Sequence, residues 1–516
     1  MSVYLIPLIA PALLAIVAIA ARTTPGYPTD RLARASEWAA LAAVTSSAAG
    51  LVALLIKGPG SAGLIAAGLS VRIDALTVTM SLLVSFVGWV VLRYSGTYLR
   101  GEKDQNRFTG LICATVASVL LFVQSGGLTV LVVTWIATSL FLHQLLIFCK
   151  DRTAATRAAF KKSVTARLSD AALIAATALL AGYYGTADIA GILSKAQAGS
   201  GAPELYAVAA LLAIAAVLKS AQFPFHGWLT EVMETPTPVS ALLHAGVINA
   251  GGFLLIRFAD VMLLAPAILA FLVLIGGFTA LLAGLVMLTQ PAIKTSLAWS
   301  TIAQMGFMVL QCGLALFPIA LLHIVAHSLY KAHAFLSSGT AVDAVTAARK
   351  PGPVAIPGPR AVLLAFTVAL TIYGTLAILF GFSGKSPQAL ALGAILIFGV
   401  AYLLAQGFAD RAPVQLTRRT TLYALGASLS YFALQAAADA IYAGTLPLAP
   451  VPGALEWMLI ALALISFGTV AVAQSMFAHW ANIPAIAGLR VHIANGFYAN
   501  ALTDRLLKTR SLTKLS

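Results

Sequence analysis

A chain of 516 residues that is 60% hydrophobic and only 9% charged, with a mean hydropathy of +0.93, lies outside the soluble globular classes, whose apolar share is roughly 45–50%. The formal net charge of +15 would suggest nucleic acid in a soluble chain; in a membrane chain, orientation and anionic lipid explain it. Cys113, Cys149 and Cys312 stand in or beside separate apolar segments, with no CxxC and no Cys/His cluster. That pattern indicates neither a disulfide framework nor a metal site. No GxGxxG after a strand, no Walker loop and no cysteine set for iron–sulfur clusters occurs, so no nucleotide, redox or other cofactor is expected in this chain.

Apolar segments of about 20 residues recur along the whole length, which predicts an all-α polytopic membrane protein. The start, MSVYLIPLIAPALLAIVAIAA, has no basic n-region or clear cleavage site and reads as the first span rather than a signal peptide. About fifteen spans are predicted, near 3–21, 38–56, 76–92, 109–124, 128–148, 171–184, 205–223, 239–257, 265–288, 297–310, 319–339, 362–382, 389–406, 422–441 and 457–477. A short interfacial helix or a loop occupies 187–198, and the Gly/Pro-rich 350–359 is a linker. With the N-terminus outside, the inner segments collect most of the 32 Lys and Arg, including Arg22, Arg31, Arg34, Arg93, Arg100, Lys150, Lys161, Lys162, Arg167, Arg349, Lys350 and the basic residues of the C-terminal tail. The outer side keeps Lys57, Arg72, Lys195, Arg257 and Lys385, so the positive-inside rule is met and the C-terminus falls in the cytoplasm.

The organising stretch is 218–257, LKSAQFPFHGWLTEVMETPTPVSALLHAGVINAGGFLLIR. Lys219 ends a long apolar run with no charged neighbour until Glu231, and an ammonium at membrane depth costs several kcal/mol and usually marks an ion path. Pro224 then breaks the helix, and freed backbone groups survive there only beside protein or water. A next segment bearing His244 and Asn249 completes the layout of a transporter site; the alternative is a lysine that snorkels to an interface. His323, His327 and Lys331 are spaced four apart, so they share one helix face. Such a row can pass a proton through intervening water, can hold zinc, or can simply be satisfied by interhelical hydrogen bonds. His143, His226, Glu231 and Glu234 are further candidates for the path, with buried bonding or solvated-loop roles as alternatives. Gly246, Gly251 and Gly252 suit close helix packing.

The strings KSAQFPFHGWL, PTPVSALLHAG, SLAWSTIAQMGFMVLQCG (296–313) and LLHIVAHSLYKAHAFLSSG (321–339) resemble the antiporter-like subunits of the proton-pumping NADH dehydrogenase (subunit L/5) and of the Mrp cation/proton antiporters. His226 with Gly227, the MET of 233–235 and HAGVINAGGF (244–253) look like one branch, the DabB membrane subunits of inorganic-carbon (CO2/bicarbonate) accumulation pumps. The similarity runs from about Asp74 to the C-terminal NGFY. It implies two inverted five-helix repeats with broken helices, at 109–258 (broken at Lys219–Pro224) and 259–410, between N-terminal spans at 1–108 and C-terminal spans at 411–479, with an amphipathic cytoplasmic tail at 480–516. It further implies a proton- or cation-conducting, non-enzymatic subunit in the inner membrane that energises carbon uptake, and a cytoplasmic DabA-type zinc partner resembling carbonic anhydrase. An Mrp-type antiporter subunit and a pumping subunit of NADH:quinone oxidoreductase are the alternatives.

Two departures stand out. The family places a glutamate directly after the fifth-span Trp, but Trp135 is followed by Ile136. No span so drawn carries a mid-membrane carboxylate, which leaves Lys219 without a counter-charge, and the twelfth span has no ionisable residue, only Lys385 beyond its end.

Overall fold

The structure, a computed structural model, describes residues 3–24, 28–65, 69–149, 153–199, 201–340, 356–381, 384–409, 412–480 and 482–507. The linker at 350–359 lies mostly outside the described residues, as do Arg349, Lys350 and the last basic residues of the tail. Helices α1 (Ile9–Thr23), α2 (Thr29–Lys57), α3 (Ala75–Tyr98), α4 (Gln105–Val123), α5 (Leu128–Leu146) and α6 (Thr153–Tyr184) open the chain. Then follow α7 (Ile189–Ala198), α8 (Pro203–Lys219), α9 (Gly227–Glu231), α10 (Thr237–Ala245), α11 (Ala250–Arg257) and α12 (Ala259–Leu263). The second half contains α13 (Pro266–Met287), α14 (Ile293–Gly313), α15 (Phe317–Leu336), α16 (Pro359–Leu379), α17 (Pro387–Gly407), α18 (Val414–Ile441) and α19 (Ala454–Trp480), and the tail adds α20 (Pro484–Ala494) and α21 (Ala499–Leu506).

Among the described residues, 12 helical segments are long and apolar enough to cross a membrane. Helices α8, α14 and α18 occupy the remaining three of the fifteen expected spans. The first is only 17 residues long, and the other two open on charged turns bearing Lys294 and, in α18, Arg418 and Arg419.

An antiparallel hairpin that the sequence reading did not anticipate, β1 (Gly60–Ile65) with β2 (Leu69–Ile73), joins α2 to α3. It is knitted to the start of α5 by Gly126 N–H donating to the Ser70 carbonyl (2.7 Å), and Ile189 N–H donates to the Gly126 carbonyl (2.8 Å). Asp74, which caps α3 by accepting from Thr77 N–H at 2.8 Å, also accepts from Arg257 Nη1 (2.5 Å) and Arg72 Nε (2.6 Å). Burial alone would push its carboxyl up, but the two guanidiniums outweigh that and hold it well below the usual carboxylate range. Arg257, placed by the sequence reading in an outer loop, is thus a buried strut that ties α11 to α3.

The interior gathers on the segment from Thr237 to Arg257, whose spanning window is 94% buried; that of Ala454–Phe477 is 22% buried. Beside it α13 and α14 pack along glycines. A methyl group on Gly276 would lie 2.6 Å from the Gly306 carbonyl oxygen, one on Gly306 2.7 Å from that of Gly276, and one on Gly313 2.8 Å from the Leu269 carbonyl oxygen. Only the absence of side chains lets these backbones touch.

Candidate functional site

Helix α8 stops at Lys219, and the turn through Pro224 leads into α9. This break brings Lys219 against α5. Its Nζ donates to Ser139 Oγ at 2.6 Å and to the Trp135 carbonyl at 3.4 Å, and lies 4.2 Å from the centroid of the Trp135 ring. A hydroxyl, a carbonyl and an indole face together replace the water that the ammonium loses. At 7% exposure, Lys219 does not snorkel to an interface.

Two residues missed in the sequence join it. Lys162, 4% exposed, donates from Nζ to the Ser139 carbonyl at 2.7 Å, so one serine serves two ammonium groups. Asp170, also 4% exposed, pairs with Arg167 at 2.7 Å and lies near enough to Lys219 to act on it electrostatically. The expectation that no span carries a carboxylate for Lys219 is therefore corrected: the counter-charge comes from α6 instead of from the residue after Trp135. The sequence reading began that span at 171 and placed Lys161, Lys162 and Arg167 in a loop. The helix instead begins at Thr153, with Lys161 paired to Glu231 and Asp504 and Lys162 bonded to the Ser139 carbonyl. A cavity of about 20 Å³ lies among Ser139, Lys162, Thr165, Lys219, Trp228 and Ile248, enough for one water. His143, one turn beyond Ser139 on α5, leaves its Nδ1 without a hydrogen bond.

The same cavity touches Leu243, Val247 and Ile248, beside His244. Between α10 and α11 the helix yields at Gly246 to a 3-10 turn, Val247–Asn249, and Ser220 Oγ takes up the Ile248 carbonyl at 3.2 Å. His244 is fully buried, stacked on Phe335 with centroids 4.3 Å apart. Thr301 Oγ1 donates its one proton to the Leu297 carbonyl (3.0 Å), so the 3.0 Å contact with His244 Nδ1 has the histidine as donor. Nε2 of His244 is then a buried acceptor without a partner.

Lys331 Nζ donates to that same Leu297 carbonyl at 3.1 Å, and His327 Nε2 donates to the His244 carbonyl at 3.2 Å. His323 bonds Gln311 Oε1 at 2.9 Å, with its ring 6.1 Å from that of His327. His244, His327 and Lys331 thus form one hydrogen-bonded group, extended at 6 Å spacing by His323. Among the described residues no group of three His, Cys, Asp or Glu converges as metal ligands do. A second cavity of about 20 Å³ flanks the Asn249–Ser328 hydrogen bond (2.9 Å) at the kink.

The acidic turn divides. Glu231 pairs with Lys161 at 2.6 Å and with Arg157 at 3.9 Å, whereas Glu234 ends its 3-10 turn exposed. His226 is 1% exposed, between the rings of Phe223 and Trp299. Lys385 stands apart from both groups, over the Phe432 ring at 5.6 Å. The tail is not one amphipathic helix: positive φ at Phe497 and Tyr498 separates α20 from α21. Of its apolar residues, Ile493 packs on the core while Phe497, Leu502 and Leu506 are exposed.

The comparisons with known proteins agree with this architecture. Residues 125–385 match the family described as NADH:quinone oxidoreductase/Mrp antiporter, TM, and residues 61–109 match the N-terminus of complex I chain 5. The chain is 39% identical over 465 residues to a probable inorganic carbon transporter subunit DabB2 of Halothiobacillus neapolitanus, covering 88% of this chain and 83% of that one. It is 45% identical over 275 residues to a probable inorganic carbon transporter subunit DabB of Hydrogenovibrio crunogenus, about half of each chain (53%). NADH-quinone oxidoreductase subunit L of Mycobacterium tuberculosis is 36% identical over 277 residues, 53% of this chain and 44% of that one. The Mrp complex from Dietzia sp. DQ12-45-1b superposes with a TM-score of 0.62 at 25% identity, over 98% of this chain and 60% of that one. This multi-pass membrane protein belongs to the NADH:quinone oxidoreductase/Mrp antiporter transmembrane family and stands in it beside the DabB inorganic carbon transporter subunits.

Proposed function

We propose that the chain is a cation-conducting subunit, with the proton as the cation, that energises inorganic carbon accumulation. The observation that supports this most directly is the buried group of Lys219, Lys162 and Asp170 at a helix break, beside a water-sized cavity that also touches Leu243 and Val247, the neighbours of the His244–His327–Lys331 group on α10 and its kink. Buried ionisable side chains joined by hydrogen bonds and room for water are what proton relays in membranes are built from. The path runs from Glu231 through Lys162 and Lys219 to His244, His327 and Lys331, and His323 leads onward. His143, Glu234 and His226 border it.

The similarity to DabB proteins supports a carbon species as the beneficiary and a soluble DabA-type zinc protein, of carbonic-anhydrase kind, as the partner that performs the chemistry; this chain itself is not the enzyme. The N-terminus lies outside the inner membrane and the C-terminus in the cytoplasm. In reconstituted vesicles Lys219→Ala reduces ion flux and carbon uptake to background while expression and partner retention are unchanged, and Lys219→Arg does not rescue, because a guanidinium does not release its proton at accessible pH. Full flux in Lys219→Ala would remove the central claim. The second reading, an Mrp-type antiporter subunit, is favoured by the whole-chain likeness to the Mrp complex. It predicts sodium-dependent flux and co-purification with other membrane subunits instead of a soluble zinc protein.

A further inference from the structure

Lys161, the neighbour of Lys162 on α6, is 2% exposed and sits between two carboxylates. Its Nζ is 2.6 Å from Glu231 Oε1 and 2.5 Å from Asp504 Oδ1, the latter on α21 of the C-terminal tail. Arg157, 3.9 Å from Glu231 Oε2, is a second cation beside the same carboxylate. Glu231 Oε2 is buried and accepts no hydrogen bond.

The tail is held in place by contacts that do not involve Asp504. Asn500 Nδ2 donates to Thr230 Oγ1 at 3.2 Å, and Asn500 occupies the space where a side chain on Gly227 would be. Gln290 Nε2 donates to the Ala494 carbonyl at 3.1 Å. Gly496, at φ +56°, lies against Trp299, where a methyl group would be 3.1 Å from the ring.

We propose that the tail completes the mouth of the first charge group, with Asp504 as a positioning residue that shares Lys161 with Glu231; this rests on the proton-path reading above. Consecutive residues of a helix point about 100° apart. Fixing Lys161 between two carboxylates therefore fixes the rotation of α6 and holds the ammonium of Lys162 against Ser139. With Asp504 neutral, Lys161 follows Glu231 alone and Lys162 loses its register toward Lys219.

The test uses the full chain with its co-purifying partner in vesicles, reading proton flux with an entrapped pH dye. Asp504→Asn lowers flux about tenfold, the worth of one charge-assisted hydrogen bond, and Asp504→Glu restores it to near the parent. The seating of the tail is read separately, from disulfide formation by a Thr230→Cys/Asn500→Cys pair in a Cys149→Ser background. That disulfide forms equally well with Asp504 or with Asp504→Asn. Undiminished flux in Asp504→Asn overturns the proposal, and so does loss of the disulfide together with flux, since Asp504 would then only anchor the tail. Lys219→Ala in the same vesicles judges the underlying path independently of either result.

Discussion

Lys219 and Lys331 are two buried lysines of one chain, and they are accommodated in opposite ways. Around Lys219 the protein assembles a hydroxyl, an indole face and, from the next helix, Asp170, and it adds a second lysine. Around Lys331, among the described residues, it offers the carbonyl of Leu297 and the Tyr330 ring at 5.5 Å and no carboxylate. The first group is an ion cluster whose members can exchange charge among themselves. The second is a set of neutral acceptors linked by hydrogen bonds to His244 and His327. On the proposed path, a proton arriving at the first would meet counter-charge, and at the second imidazoles and dipoles.

If that contrast is right, removing the carboxylate does the most damage. Asp170→Asn removes the buried carboxylate that lies near Lys162 and Lys219. Proton flux measured in vesicles falls at least as far as with Lys219→Ala, and Asp170→Glu recovers part of it. Normal flux in Asp170→Asn would show that the ion cluster is structural.

The second half is predicted to act as a unit. His327→Ala and Lys331→Ala each lower flux about tenfold, and the double variant is little worse than either, because both act through His244 and its partners. Purely additive losses would mean that the two residues only pack. The smallest effect belongs to Ser139→Ala, which removes the hydroxyl under Lys219 but leaves the carbonyl to Lys162. A loss of about 1 kcal/mol, seen as a fivefold drop in flux, fits one hydrogen bond, and a collapse to background would make the serine a carrier itself.

Much of this was legible before any coordinates. Lys219, His244, His327 and Lys331 stand out because each interrupts an apolar run, and a charge with no local partner in sequence must find one in space. Asp170 was hidden by the opposite circumstance. The stretch KKSVTARLSDAA is charged enough to look like the end of a loop, and only its three-dimensional neighbours make it a membrane helix. The partnership of Asn500 with Thr230 spans 270 positions, and nothing in either local pattern announces it. The tail, expected to be amphipathic, is interrupted by the positive φ at Phe497 and Tyr498, which sequence periodicity does not announce.

The glycine seam between α13 and α14 has a mechanical consequence. Where backbone meets backbone at van der Waals distance over Gly276, Gly306 and Gly313, no layer of pliable side chains remains to shear, and a slide of even half a turn drives a carbonyl into a Cα. Transporters that rock need a slip plane, and this seam cannot be one. On the proposed path, the pair would serve as a fixed wall carrying Thr301 and Leu297.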